Sequence, residues 1–396
     1  VSKSKIKQLP EDFSVEELTN TVPLGYGDYS FYLLRKQGVT SPDAIYKIKN
    51  AWKLDARQIS YGGLKDKHAV TTQYISIKNG PKKDLDFSNL WLKHLGLIAT
   101  PYDSTNLHGN RFKIVIRNIN FESIPKTEST ICLLPGIGIP NYFDDQRFGS
   151  INSLGNGFIA KQLVLGDFEG ALKIALTSPY AHDSKWVKKE KALLLKKWGD
   201  WLFLRSKLPR GHSKSLIDHL SRNQNDFKGA AEKLRPELGG IYLAAYQSFL
   251  WNNALRNWIK LNFQVSEQFF INLKLGWYPV VKFASSDKSK IMDETFIPLP
   301  SSRLKMDEFD PFFTIIHDVV NSEGIKLEQL KVPGSRKLFF SKGERKAFYF
   351  PTNISHCVFN DDLNTGQKAV KIQFDLPRGA YATILVKCLQ TLIWNN

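Results

Sequence analysis

Apolar and polar positions change rhythm twice along the chain. Up to about residue 150 the alternation is strand-like. Thr72–Ile77 is predicted as a strand with Gln73, Ile75 and Ile77 on one face and Tyr74 and Ser76 on the other. Phe112–Arg117 is a second, in which Phe112, Ile114 and Ile116 alternate with Lys113, Val115 and Arg117. Gly109-Asn110 just before it reads as a turn, and His94–His108 as a connection or a short edge strand. From Phe158 to Lys233 the period becomes helical, and Trp186–Trp201 is basic on one face and apolar on the other. Ile241–Leu261 is the clearest helix, with Ile241, Ala244, Ala245, Ser248, Trp251, Leu255, Trp258 and Ile259 at three- and four-residue steps. Turns and short strands are predicted over Pro279–Pro311. The last fifty residues return to a strand, Ala369–Phe374, and a helix within Gly379–Trp394.

Composition sharpens this picture. At 396 residues, two domains are expected, and 42% hydrophobic residues suffice for real cores. Lys and Arg number 55 against 38 Asp and Glu, a net charge of +17, which points to nucleic acid or an anionic membrane face as partner. No apolar run has the roughly 18 residues of a spanning helix. Val1–Gln8 is basic and polar, without the apolar core of a secretory signal, so a cytoplasmic protein is expected. Arg210–Arg235, polar and sparse in apolar residues, is a candidate mobile or RNA-facing segment. Cys132, Cys357 and Cys388 are too few and too scattered for a disulfide framework or a zinc site.

Candidate chemistry concentrates in Tyr61–Gln73. Gly62 and Gly63 permit a tight turn or a close backbone approach. Asp66 stands between Lys65 and Lys67, whose charges favour its ionised form. Such a carboxylate in a basic field can serve as nucleophile, base or metal ligand toward a polyanion, and equally as part of a solvated surface loop. Asp144-Asp145 and Asp361-Asp362 are candidate Mg²⁺ ligands of a nuclease, although paired aspartates are more often turn or cap residues. No zinc-ligand spacing, Walker lysine, dinucleotide fingerprint or G-x-S-x-G elbow occurs.

Five elements in order resemble the TruD family of tRNA pseudouridine synthases. The first is Pro10-Glu11-Asp12-Phe13 with Val15 and Glu17. The second is Gly63-Leu64-Lys65-Asp66-Lys67-His68-Ala69-Val70-Thr71 with Gln73, and the third is Gly109-Asn110-Arg111-Phe112. Pro140-Asn141-Tyr142-Phe143 and Gln146-Arg147-Phe148-Gly149 together form the fourth. Leu376-Pro377-Arg378-Gly379-Ala380-Tyr381-Ala382-Thr383 is the fifth. Asp144 stands where the family usually has Gly and adds a negative charge there.

The resemblance implies an α+β fold: a catalytic pseudouridine-synthase domain with an antiparallel sheet, residues 1–158 and 338–396, and a TruD-type α/β insertion domain, 159–337. It implies an isomerase that converts uridine, at position 13 of tRNA, to pseudouridine with no cofactor or metal. The partner it implies is tRNA, with no membrane and no nucleotide cofactor, and a monomer is expected. Asp66 is then the essential aspartate, either as a nucleophile on ribose C1′ or uracil C6 or as a base on the sugar. Phe112 is the stacking platform for the flipped base, and Asn110 orients the aspartate or the base. Lys65 stabilises Asp66 or binds phosphate, and Glu17 pairs with a basic site residue. Lys67 and His68 contact the RNA backbone, Gln146 and Arg147 line the cleft, and Lys185–Lys197 grips phosphates. Plain structural readings stand beside these: Phe112 as core, Asn110 as a turn residue, Glu17 as a helix-start carboxylate, and Gln146 and Arg147 as a satisfied polar group and a salt bridge. The competing function on the same fold is a non-catalytic RNA-binding or tRNA-folding protein.

Overall fold

The computed structural model describes residues 4–67, 69–151, 157–180, 183–282 and 285–394. The backbone divides into two compact units. The first holds the residues up to Ile139 and those from Tyr349 onward; the second holds Pro140–Lys282 and Ser286–Phe348.

The first unit is built on one ten-stranded sheet. Its strands, numbered within this unit, are β1 (Lys5–Ile6), β2 (Phe13–Thr19), β3 (Tyr29–Gln37), β4 (Ile59–Tyr61), β5 (Val70–Lys78), β6 (Leu85–Phe87), β7 (Leu90–Ile98), β8 (Leu107–Ile119), β9 (Thr352–Asn360) and β10 (Lys368–Pro377). The order is β9-β10-β8-β2-β5-β3-β7-β6, with β1 paired to β8 and β4 to β5. The pairs are antiparallel except β2 with β5, which run parallel in the register Ser14–Val70 to Glu16–Thr72. The sheet is therefore mixed rather than wholly antiparallel. The parallel pair sets the starts of β2 and β5 at one end, so the segments that precede them meet there.

Three helices complete the unit: α1 (Ser41–Trp52), α2 (Ile124–Leu133) and α3 (Ala382–Trp394). Thr40 caps α1 by accepting the Asp43 amide at 3.1 Å. Ala44 and Ile48 of α1 pack on Tyr32, Leu34, Ile75, Ile77 and Leu92. Each fully buried Leu or Ile among them contributes about 1.5–3 kcal/mol. Phe31, Ile98 and Tyr102 form a second cluster, with Phe31 stacked on Tyr74 at 5.3 Å.

The predicted strands lie within β5, β8 and β10. Gly109-Asn110, however, is not a turn: both residues are inside β8, paired with Pro377 and Leu376 of β10. A Cβ on Gly109 would stand 2.4 Å from the Leu376 carbonyl oxygen, so this glycine serves a close strand approach. His94 belongs to the nine-residue β7, which β6 covers at the edge. Asp361 and Asp362 both pair with Arg117, as does Asp12, which accounts for them without a metal. Among the described residues no group of three or more His, Cys, Asp or Glu could hold a metal ion, and no helix is long and apolar enough to cross a membrane. Cys132, Cys357 and Cys388 are unpaired thiols.

Among the described residues, the second unit carries six short α-helices from Ile159–Leu165 to Phe227–Ala231. Trp186–Trp201 is not one helix. Lys185–Lys196 ends there, Gly199 takes φ +96°, and Asp200 caps the next helix, Trp201–Lys207, through the Phe203 amide. Arg210–Arg235 carries the helices His212–Arg222 and Phe227–Ala231. The predicted Ile241–Leu261 helix spans Pro236–Asn262 and buries Tyr246, Leu250, Trp251 and Ala254. Within Pro279–Pro311 a helix, Ser286–Glu294, replaces part of the expected turns.

The Pro140–Phe143 motif is a structural anchor. Asn141 Nδ2 donates to the Lys346 carbonyl, Tyr142 Oη to the Pro279 carbonyl, and Asn252 exchanges two bonds with the Phe143 backbone. Asp144 has φ −84°, a conformation open to any residue, so the turn does not depend on glycine.

Candidate active site around Asp66

Asp66 lies on the loop that leads into β5. Three groups fasten this loop from below. Lys36, at an inward position of β3 and 1% exposed, points its ammonium at three carbonyl oxygens: Val39 at 2.9 Å, Asp66 at 3.1 Å and Lys65 at 3.3 Å. Burial pulls its pKa from the ordinary 10.5 to about 8, with the Asp66 carboxylate opposing that pull and Lys65 adding to it. Ser41, buried at the start of α1, accepts the Lys65 amide at 2.9 Å and donates to Gln73 Oε1 at 3.0 Å. Gln73 Nε2 in turn donates to the Gly63 carbonyl at 3.4 Å.

The side chains of the loop then separate. Lys65 Nζ reaches Glu17 Oε1 at 2.8 Å and Asn110 Oδ1 at 2.9 Å. Glu17 and Asn110 are register partners on β2 and β8, so the lysine closes a bridge over two neighbouring strands. Glu17 has no exposed side-chain surface, and Lys65 has 9%. The second Glu17 oxygen accepts the Tyr74 amide at 2.9 Å and the Tyr102 hydroxyl at 3.4 Å. Glu17 is thus a buried strand residue and not a helix-start carboxylate. Burial, reinforced by Glu17, drives the Tyr102 phenol well above its usual range, so it stays a donor.

Asp66 points elsewhere. Its Oδ2 accepts from Lys7 Nζ at 3.2 Å, with 27% of the carboxylate side chain and 24% of the lysine exposed. A cation on Asp66 is therefore Lys7, from the segment between β1 and β2, whereas the Lys65 ammonium turns to Glu17 and Asn110. Lys67 is exposed. Lys7 Nζ also lies 4.1 Å from the centre of the Phe13 ring. Phe13 meets Phe112 edge-on at 6.1 Å, and Phe112 stacks on Phe374 at 5.7 Å. Phe112 is 7% exposed, backed by rings on two neighbouring strands. Its register partner is Val15, and it shares the face of β8 that carries Asn110. One face of the sheet thus presents an aromatic wall, an amide, a neutralised Lys65–Glu17 pair and a partly open carboxylate.

The expected site residues fall into three groups. Lys65, Glu17 and Asn110 join through these bonds, Asp66, on the same loop as Lys65, pairs with Lys7, and Phe112 stands beside Asn110 in the sheet. Gln146 and Arg147 belong to the second unit, both exposed on a short turn, Asp145–Phe148, with the Arg147 guanidinium 5.3 Å from the Phe143 ring. His68 lies outside the described residues. Sequence reasoning missed Lys7, Lys36 and Ser41. Only Lys36 left a signal, as a lysine on the inward side of a strand after Tyr32 and Leu34.

Comparisons with known proteins agree over nearly the whole chain. The family model for tRNA pseudouridine synthase D (TruD) matches residues 2–389. A "Probable tRNA pseudouridine synthase D 1" of Methanococcus maripaludis is 34% identical over 397 residues, covering 97% of this chain and 98% of the relative. The tRNA pseudouridine synthase D of Aquifex aeolicus is 31% identical, with 97% of each covered. The crystal structure of a TruD protein from Methanosarcina mazei superposes with a TM-score of 0.73 at 24% identity, covering 100% of this chain and 94% of that one, a likeness of fold.

Proposed function

This chain belongs to the tRNA pseudouridine synthase D family, and on that premise we propose that it isomerises a uridine of tRNA, uridine 13, to pseudouridine with Asp66 as the essential carboxylate. The observation that carries the reading is the Asp66 loop itself. Its backbone is tied down by Lys36, Ser41 and Gln73, while its partly exposed carboxylate accepts from Lys7. A group held this way can approach one reacting atom without reorganising.

The reaction balances within one nucleotide. The C1′–N1 bond breaks, the uracil turns, C1′ bonds to C5, and the C5 proton is lost while N1 gains one. Neither redox partner nor cofactor enters. Asp66 acts as nucleophile on C1′ or C6, or as base on the sugar. A stacked base must first leave the helix. The Phe13–Phe112–Phe374 cluster offers an apolar wall for it, and Asn110, whose carbonyl oxygen is taken by Lys65, keeps its Nδ2 protons for a uracil oxygen. Lys67, Gln146 and Arg147 are exposed and suited to phosphate or polar RNA contacts, and His68, two residues after Asp66 in sequence, is a further candidate for a backbone contact. The insertion domain, taken as 159–337, supplies further lysines along Lys185–Lys197.

The test is incubation of purified protein with an unmodified tRNA transcript, with pseudouridine mapped by carbodiimide-blocked primer extension. A stop at position 13 that disappears in Asp66→Asn, with turnover down by at least about 10³-fold and RNA binding kept, is the expected result. Binding without any new stop would instead favour a tRNA-folding protein. Strand cleavage abolished by EDTA would favour a nuclease.

A further inference from the structure

A second concentration of charge lies on the helical part of the second unit. Arg210, Lys214, Arg222 and Lys233 line a cleft of about 540 Å³ together with His219 and Asn223. Lys214 and Arg222 stand two turns apart on the helix His212–Arg222, about 12 Å along its axis. Arg210 precedes that helix, and Lys233 follows Phe227–Ala231.

The carboxylates nearby are already engaged. Asp218, which itself lines the cleft, pairs with Arg205 at 3.3 Å, and Asp226 holds His219 Nε2 at 2.8 Å. Lys214 Nζ donates to the Leu208 carbonyl at 3.1 Å, which leaves its charge uncountered. Among the described residues, the side chains of Arg210, Arg222 and Lys233 make no ion pair or hydrogen bond. Four like charges around one concavity repel one another, and a polyanion relieves this while releasing its own counterions. A single small anion would neutralise one of them. Cations stepped along a helix suit a run of phosphates. The lining holds no Phe, Tyr or Trp on which a base could stack, and its His219 ring is held by Asp226, so the contact is to backbone and not to sequence.

We propose that this cleft grips the sugar-phosphate backbone of the substrate RNA, an inference that rests on the proposed action on tRNA. The test compares the full chain with Arg210→Gln/Arg222→Gln/Lys233→Gln, three exposed positions. A charge-matched control, Lys82→Gln/Lys83→Gln/Lys260→Gln, removes three exposed lysines elsewhere. Binding of the tRNA transcript is followed from 50 to 200 mM salt. The cleft variant is expected to lower the slope of log affinity against log salt by about 2–3, and to raise KM for RNA far more than it lowers kcat. The control should change either by less than half as much. Equal losses in the two variants, or an unchanged slope and KM in the cleft variant, overturn the proposal. If pseudouridine forms normally while the cleft variant binds like the parent, this inference alone fails. If no pseudouridine forms yet the cleft variant loses its salt slope, the activity reading fails and the cleft stands.

Discussion

Lys36→Met removes the tether of the Asp66 loop while nearly conserving volume. Three carbonyls lose a charged donor at once: Val39, Lys65 and Asp66. Such bonds contribute about 1.5–3 kcal/mol each. Against this, a methionine no longer buries a charge. The drop in pKa from 10.5 to about 8 corresponds to about 3 kcal/mol. The net loss is about 1.5–6 kcal/mol, enough to lower Tm by several degrees. The larger effect falls on chemistry, because a shift of about 1 Å in a positioned group costs about 10²-fold in rate. The parent should also show a pH signature. Near neutrality Lys36 is an ammonium with a proton for each of its three acceptors; above about pH 8 the amine has two. kcat should therefore fall through pH 8 to 9. Stability should move the other way, because the unfolded chain binds more protons than the folded one between about 8 and 10.5, so this group's contribution rises with pH. The assay is kcat at saturating tRNA across pH 6.5–9.5, beside thermal melts over the same range. A methionine variant with parental kcat at pH 7, or one that keeps an unaltered alkaline limb near pH 8, would refute the reasoning.

Other outcomes follow from the same geometry. Glu17→Gln leaves Lys65 buried without its counter-charge, a loss of about 3–5 kcal/mol; Glu17→Gln/Lys65→Met should recover much of the lost Tm, and failure to recover would dissolve the pairing argument. Gly109→Ala forces a Cβ against the Leu376 carbonyl and should destabilise by about 1–3 kcal/mol, read in urea melts as a lower midpoint at unchanged m. Burial raises the Asp361 pKa, but amides of Asn118 and Leu363, the Asn364 side chain and Arg117 outweigh it and bring it from 3.8 down to about 2. Its contribution, about 2 kcal/mol, is present above pH 4 and lost as pH falls from about 4 to 2. Asp361→Asn should lose stability at pH 6 and show a shallower acid limb, measured by melts at pH 2.5–6.

What could be read in advance followed from how local each feature is. β5, β8 and β10 were legible because their alternation has the period of a half-buried strand. The helix break at Gly199 was not, since the apolar stripe continues in sequence across the turn. Gly109-Asn110 misled because a glycine demanded by a carbonyl on another strand, over 260 residues away, looks the same as a glycine demanded by a turn. Asp66 stood out through its motif, but its partner did not. Lys65 and Lys67 are adjacent in sequence, whereas Lys7 arrives only because the parallel pairing of β2 and β5 brings their leading segments to one end of the sheet.

That arrangement also separates affinity from chemistry. The chain carries +17, and around Asp66 two of the lysines stand in ion pairs, Lys7 with Asp66 and Lys65 with Glu17, while Lys36 holds the loop carbonyls from within the fold. The charge excess must act elsewhere, on surfaces such as the cleft of Arg210, Arg222 and Lys233. Asp66→Asn removes the carboxylate that Lys7 pairs with, so the inactive variant should bind RNA as tightly as the parent or slightly more tightly, with a salt slope steeper by up to about 1. A variant that lost binding together with turnover would place Asp66 in holding the RNA, and the division between grip and reaction would fall.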